Sequence, residues 1–272
     1  MERLKFILGL GCQKSGTTWL HSYLCLSNNF AAGFAKEYHI FDFKYSPIQR
    51  RHIRHSPSGL KEAFTNPWTY AQTVLMRNSD NFYYQYFKGL LKDGKTVTGD
   101  ITPSYSCLDT TTLKEIDNKF AAVGVEVVPV ILFRDPFHRC KSSVQMKFAR
   151  NKSRFGLQQS TSDFNTALLE YHSSEHSKLR ADYVSTLLQA EHAFGDRLGI
   201  FLYEELFSET NVKRLSNLCG VDENFGFASE RVHAAERKFD VDAETESVIR
   251  DYFSDQYKYF NERFPQTKDL WK

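Results

Sequence analysis

The sequence of this chain predicts an α/β fold, with a central parallel, doubly wound sheet flanked by helices. Three observations carry the prediction. Residues 4–10 and 125–133 are near-continuous apolar runs of strand length, the pattern of strands buried on both faces. Strand-like segments alternate along the chain with segments of helical spacing, the rhythm of parallel sheets. The first strand runs directly into a glycine-bounded loop and a helix, an arrangement that cradles phosphate.

In chain order, residues 4–10 form the first strand and 11–16 a tight loop. Residues 17–26 form a helix on which Trp19, Leu20, Tyr23 and Leu24 keep helical spacing. Residues 30–34 suit a short second strand. Residues 44–61 carry Lys44, Arg50, Arg51, Arg54 and Lys61 and no acidic residue. Residues 80–91 read as an aromatic-rich helix, and 97–101 as a strand stopped by Thr102-Pro103. Residues 125–133 give the strongest strand signal, and Asp135-Pro136 opens the helix behind it with Pro at its first position. A helix over 178–194 and a buried strand over 199–203 follow. Asp242 caps a closing helix whose stripe is Ile249, Phe253, Tyr257, Phe260 and Phe264.

Composition narrows the classes. No repeat, low-complexity stretch or Gly/Ser linker divides the 272 residues, so residues 1–272 are expected to form one domain. Hydrophobic residues at 41% and charged residues at 25% are an ordinary globular balance. Lys plus Arg number 35 and Asp plus Glu 33, a formal charge of +2 that supports neither a nucleic-acid coat nor a polybasic membrane anchor. The aromatic content of 15% suits a filled core and also a cleft that contacts rings or sugars. Cys12, Cys25, Cys107, Cys140 and Cys219 are odd in number and form no CxxC pair. A disulfide scaffold and a zinc site are therefore not expected, and a reduced cytoplasmic location is. The apolar run at 6–10 is too short for a signal-peptide core or a membrane span.

Gly11-Cys12-Gln13-Lys14-Ser15-Gly16-Thr17-Thr18 has the outer spacing G-x-x-x-x-G, but Thr17 stands where an ATP-binding loop carries lysine. The lysine is Lys14, two residues before the second glycine. Backbone N–H groups and the positive end of the helix starting near Thr17 still suit a phosphate. The ligand expected has a phosphate at the loop and a reacting group near Lys14, not a triphosphate with magnesium. Gln13-Lys14-Ser15-Gly16-Thr17-Thr18-Trp19 resembles the 5′-phosphosulfate loop of sulfotransferases that use 3′-phosphoadenosine 5′-phosphosulfate (PAPS). The resemblance implies a P-loop-NTPase-like three-layer fold, with Lys14, Ser15, Gly16, Thr17, Thr18 and Trp19 around the 5′-phosphosulfate.

PAPS also carries a 3′-phosphate. Phe133-Arg134-Asp135-Pro136-Phe137-His138-Arg139-Cys140-Lys141-Ser142 resembles the family's R-[DN]-P-x-x-R-x-x-S segment, which implies Arg134 and Ser142 as 3′-phosphate ligands. Arg134 ends a strand, where open α/β sheets bind ligands, and its planar fork suits a phosphate. The plainer alternative is a surface ion pair between Arg134 and Asp135. Ala235-Glu236-Arg237-Lys238-Phe239 lies where the family places a basic loop over the 3′-phosphate and adenine. The usual Lys-Gly is replaced by Ala235-Glu236, leaving Arg237 and Lys238 as ligands.

Ala35-Lys36-Glu37-Tyr38-His39-Ile40-Phe41-Asp42 resembles the K-E-x-x-F-F segment of heparan-type and related sulfotransferases, which implies Glu37 as general base. His39 is the second candidate, since imidazole titrates near neutrality and small-molecule sulfotransferases use a histidine. Gly99-Asp100-Ile101-Thr102-Pro103-Ser104-Tyr105 resembles G-E-K-T-P-x-Y, with Ile101 in place of an assisting lysine. Thr102, Pro103 and Tyr105 are expected to line the acceptor cleft. Lys14 would supply charge to the bridging oxygen as its bond to sulfur breaks. The resemblance implies PAPS as donor, no metal, and a small-molecule or saccharide acceptor bearing a hydroxyl or amine. The rivals are a kinase with an atypical loop and a non-catalytic nucleotide-binding module.

Residues 137–162 carry Arg139, Lys141, Lys147, Arg150, Lys152 and Arg154 and no acidic residue. They suit the 3′-phosphate, an acidic acceptor, or an ordinary basic surface. His172 and His176, four apart in a polar run, are expected on a surface helix face rather than at a metal.

Overall fold

The computed structural model describes residues 3–54, 64–79, 81–149, 163–228 and 239–272. Five strands, β1 (Lys5–Gly9), β2 (Phe30–Ala31), β3 (Val97–Asp100), β4 (Glu126–Phe133) and β5 (Gly199–Leu202), pair in the order β2-β3-β1-β4-β5. Every pairing is parallel, and Lys5 at the start of β1 lies opposite Val97 of β3 and Glu126 of β4. The chain fills one side of β1 and then the other. The reversal opens a crevice beyond the carboxyl ends of β1 and β4, where α/β sheets take ligands.

Side chains alternate between the faces of a strand, and β1 buries both. Phe6 and Leu8 enter a core shared with the helices Phe82–Leu90, Thr110–Ala122 and Tyr183–Phe194. Ile7 enters another, shared with Thr17–Leu24 and Glu209–Cys219. Phe6 stacks on Phe120 at 4.0 Å between ring centres and meets Phe87 edge-on at 4.7 Å. Full burial of a side chain of this size stabilises by about 1.5–3 kcal/mol. A third cluster joins the helix Pro136–Ala149 to Phe164–His172 and Ala243–Tyr252. The sheet is therefore the middle of three layers, as expected.

Several boundaries differ from the sequence reading. The 178–194 segment is two helices, Glu175–Ala181 and Tyr183–Phe194, because the Asp182 carboxylate accepts the Ser185 N–H and starts a new helix. The closing helix also breaks, into Ala243–Tyr252 and Ser254–Arg263, and Asp242 caps the first through the Thr245 N–H. The second strand shortens to Phe30–Ala31. The helices Thr110–Ala122 and Glu209–Cys219 have no counterpart in the sequence reading, and Phe164–His172 has one only in the helix expected around His172. Each opens on a capping side chain, Asp109, Asp163 and Ser208. His172 and His176 fall on different helices, and His176 is buried against the Tyr171 hydroxyl at 3.2 Å, not on a surface face. All five cysteines are free. Among the described residues no helix is long and apolar enough to cross a membrane.

Candidate active site

The loop after β1 is held over the sheet edge by β4. Leu10 N–H donates to Val130 O at 2.9 Å, Cys12 N–H to Leu132 O at 2.7 Å, and Leu132 N–H returns to Gly11 O at 2.8 Å. Gly11 and Gly16 have φ of 101° and 95°, and a Cβ at Gly11 would stand 2.6 Å from Pro103 O. These two positions need glycine for conformation, and Gly11 also for space. Three non-glycine residues have positive φ among those described: Lys14, His39 and Asp93. Two of the three are candidate catalytic residues, and such backbone costs of order 1–3 kcal/mol each. Lys14 Nζ lies 3.7 Å from Met146 Sδ. Ser15 and Thr17 are buried, whereas Thr18 is half-buried at the start of Thr17–Leu24. Trp19 is buried in the core, stacked on Tyr23 at 5.0 Å and edge-on to Phe207 at 5.2 Å.

From Thr18 a continuous chain of contacts runs to the candidate bases. Lys36 Nζ donates to Thr18 Oγ1 at 3.2 Å and to Glu37 Oε1 at 2.5 Å. The other Glu37 oxygen lies 3.4 Å from His39 Nε2, and His39 Nδ1 is 2.7 Å from Asp42 Oδ2. Ser104 Oγ donates to that same Asp42 oxygen at 2.5 Å. Burial pushes the Glu37 carboxyl up, but the hydrogen bonds and charges of His39 and Lys36 outweigh it and hold the group at about 2. Burial pulls His39 down, and bonds to Asp42 and Glu37 overcome this to raise it to about 10. These interactions favour the ionised Glu37 and the protonated His39, whose ring lies between the Glu37 and Asp42 side chains.

Under this segment, Thr102, Pro103 and Tyr105 are buried. Thr102 Oγ1 donates to Asp100 Oδ1 at 2.5 Å and accepts the Tyr38 N–H at 3.0 Å. Tyr105 OH donates to Asp100 Oδ2 at 2.7 Å and accepts the Ile40 N–H at 3.2 Å. Their side chains hold the 38–40 backbone in place. Burial lifts Asp100 to about 6, against the hydrogen bonds it accepts from Thr102, Tyr105 and Tyr83. Ile101 is buried against Gly9, where a Cβ would come within 2.9 Å of Ile101 Cα.

At the end of β4, Arg134 and Asp135 part company. Arg134 donates from NH1 to Lys14 O at 3.1 Å, lies over the Tyr203 ring at 4.4 Å, and acts on the nearby Glu204 carboxylate through its charge without a direct ion pair among the described residues. Asp135 points inward. It accepts the Phe137 N–H at 2.8 Å, His138 Nδ1 at 2.9 Å and Tyr257 OH at 2.7 Å, with Arg250 NH1 at 3.4 Å. Burial raises this carboxyl, but His138, Tyr257 and Arg250 together hold it below its usual value. The surface pair between Arg134 and Asp135 does not form, because Asp135 is occupied in capping the helix that follows. Ser142 is half-buried one turn before Met146, hence on the helix side that faces Lys14. Arg237 and Lys238 lie outside the described residues.

Two of the three described basic residues of the run after Asp135, Arg139 and Lys147, are buried, whereas Lys141 is half-buried. Arg139 is fully buried and donates from NH2 to Ser177 Oγ at 2.9 Å. Lys147 Nζ sits 3.8 Å above the Tyr171 ring, and burial, with the charges of Arg180 and Arg139, pulls it down to about 7. The sequence reading also passed over Lys36, Asp42 and Ser104. The Lys-Glu pair and an aspartate three residues after His39 were the only local signals for the first two, and Ser104 had none.

No family model matches the chain, and no curated protein matches it in sequence. Solved structures do. A sulfotransferase from Alicyclobacillus acidocaldarius matches at 17% identity and a TM-score of 0.59, covering 96% of each chain. The sulfotransferase domain of the olefin synthase from Synechococcus PCC 7002 matches at 14% identity and 0.48, covering 93% of this chain and 94% of that one. Sulfotransferase STF9 from Mycobacterium avium matches at 13% and 0.43, covering 93% and 68%. The Alicyclobacillus match extends over nearly the whole of both chains. This chain has the fold of that sulfotransferase, the P-loop-like three-layer arrangement that the loop motif implied.

Proposed function

We propose that the chain is a sulfotransferase that moves the sulfo group of PAPS to a hydroxyl or amine of a small-molecule or saccharide acceptor. The observation that carries the reading is the run of contacts from Thr18 through Lys36, Glu37 and His39 to Asp42. It joins the loop proposed for the phosphate to the carboxylate proposed as base through direct contacts. The site also fits the donor. Loop 11–18 contains no acidic residue, and Arg134 makes no ion pair with a carboxylate among the described residues, the nearby Glu204 being bonded instead to the Asp135 N–H and Trp271 Nε1.

In this reading the loop and Thr18 hold the 5′-phosphosulfate, and Arg134 with Ser142 takes the 3′-phosphate. The acceptor oxygen forms a bond to sulfur while the bond from sulfur to the bridging oxygen breaks. The electron pair of that bond stays on the leaving phosphate, 3′-phosphoadenosine 5′-phosphate, where Lys14 meets the developing charge. Lys36, bridging Thr18 and Glu37, supplies the second positive charge in the absence of a lysine at Ile101. The acceptor proton passes to Glu37. In this reading His39, bonded to both Glu37 and Asp42, keeps its proton and acts as a positioning residue. A carboxylate held as low as about 2 is a weak base. It takes the proton late, once the new oxygen–sulfur bond has made the acceptor acidic.

Calorimetric titration with 3′-phosphoadenosine 5′-phosphate, set against ATP with magnesium, tests the donor. Binding of the bisphosphate in preference to ATP is expected. Preference for ATP would overturn the reading and revive the kinase.

A further inference from the structure

Glu37 and His39 sit on a segment outside helix and strand, and its backbone is pinned from the end of β3. Lys36 O accepts the Ile101 N–H at 2.9 Å. Thr102 Oγ1 accepts the Tyr38 N–H at 3.0 Å, and Tyr105 OH accepts the Ile40 N–H at 3.2 Å. Between these two bonds His39 holds a φ of 54°, which a non-glycine residue keeps only where its surroundings impose it. The N–H groups on either side of the strained residue thus depend on two hydroxyls.

The direction of those hydroxyls depends on one buried side chain. Asp100 Oδ1 accepts from Thr102 Oγ1 at 2.5 Å and from the Tyr38 N–H at 3.3 Å. Its Oδ2 accepts from Tyr105 OH at 2.7 Å and Tyr83 OH at 2.8 Å. A carboxylate only accepts, so both hydroxyls turn their protons to Asp100 and keep lone pairs for the 38–40 backbone. An amide in its place would set a donor against donors, and a buried donor left without an acceptor is costly.

We propose that Asp100 is a positioning residue for the Glu37–His39 pair, directing the Thr102 and Tyr105 hydroxyls so that the backbone between them holds the two side chains in contact. The inference rests on the sulfotransferase reading for the identity of Glu37 as base. The placement itself is measured without turnover, on the His39 ring. Glu37 and Asp42 face that ring from its own segment, with Lys36 behind Glu37, and Ser104 Oγ faces it at 3.4 Å from the segment after β3.

Tyr105→Phe and Tyr83→Phe form a matched pair. Both tyrosines are 1% exposed and both donate to the same Asp100 oxygen, but only Tyr105 also accepts a backbone N–H of the 38–40 segment. The full chain is labelled with ¹⁵N-histidine, and its titration is followed by NMR with His39 assigned from the His39→Gln spectrum. In the wild type His39 should titrate near about 10. In Tyr105→Phe and Asp100→Asn the midpoint should fall by about one pH unit or more toward the ordinary histidine value of about 6.5. Tyr83→Phe should titrate as wild type, and all three variants should bind 3′-phosphoadenosine 5′-phosphate as wild type in calorimetry. Equal falls in the two tyrosine variants would mean a general loosening of the core and overturn the proposal. So would an unmoved midpoint in Tyr105→Phe, or a wild-type His39 at the ordinary value. Should Asp100→Asn not fold, the matched tyrosines decide the matter. Failure of the wild-type chain to bind the bisphosphate would remove the sulfotransferase reading instead, and the histidine titration would still decide the placement.

Discussion

Lys14 and His39 are held at positive φ, 68° and 54°, by the surrounding packing. Strain of this kind persists where it sets the direction of a side chain. For Lys14 the expected consequence is catalytic. Lys14→Ala should lower kcat by about two to three orders of magnitude while weakening binding of 3′-phosphoadenosine 5′-phosphate far less, as for a group that acts on transition-state charge. Equal losses in turnover and in calorimetric affinity would remove it from that role. For His39 the consequence is a pH profile. If Glu37 is the base and His39 its charged partner, kcat/KM should stay level through neutral pH and fall on the alkaline side, as His39 loses its proton near about 10. An acid limb near the ordinary histidine value of about 6.5 would instead make His39 the base. The same sign governs stability. Because His39 is raised in the folded state, its contribution is full below its unfolded value of 6.5 and lost as pH rises through about 10.

At the scale of elements, the site rests on two strand-to-helix corners. The first, after β1, needs glycine at positions 11 and 16 and a β4 partner for its backbone. The second, after β4, turns on Asp135, which caps the helix Pro136–Ala149 and receives Tyr257 and Arg250 from the closing helices. The C-terminal helices thus brace the Arg134 corner, and Trp271 adds a bond from Nε1 to Glu204 at 3.0 Å, whose other oxygen accepts the Asp135 N–H. Asp135→Ala would leave the Phe137 N–H, His138 Nδ1 and the Tyr257 hydroxyl without this acceptor, while Arg250 keeps Glu246. A loss of about 1–3 kcal/mol is expected in urea unfolding, with Asp135→Asn milder because it retains a cap acceptor. Such capping signals were in plain sight at Asp109, Asp163 and Ser208, yet the helices behind Asp109 and Ser208 went unread and the one behind Asp163 was expected only around His172. Their apolar spacing is weaker than that of the strands, and packing against the sheet is what makes them helices.

For the whole molecule, the parallel sheet brings the Lys14 and Arg134 corners side by side, so a bisphosphate donor held by both, as proposed, should tie β1 to β4. A hundredfold excess of 3′-phosphoadenosine 5′-phosphate over its dissociation constant would stabilise by about 2.7 kcal/mol, raising the melting midpoint by about 5–10 °C for a chain of this size. ATP with magnesium should leave the midpoint unchanged, and a rise with ATP alone would point to a nucleotide kinase.

By itself, the sequence determined the buried strands, the glycine-bounded loop with Lys14, and the Arg134 segment. Each is a local pattern: runs buried on both faces, conformations only glycine tolerates cheaply, and a proline that starts a helix. What only the tertiary structure decided lies between segments. Ser104 reaches Asp42 across 62 residues, and Lys36 reaches Thr18 across 18. Arg139 and Lys147, basic in sequence, are buried because their helix packs against Phe164–His172 and Ala243–Tyr252, with Tyr171 and Ser177 meeting their charged ends. Thr102 and Tyr105 serve the 38–40 backbone because Asp100, at the end of β3, draws their hydroxyls inward. Charge and hydrogen-bond partners follow proximity in space. The sequence specifies that proximity only through the packed sheet, so the roles of these side chains become legible once the strands are in register.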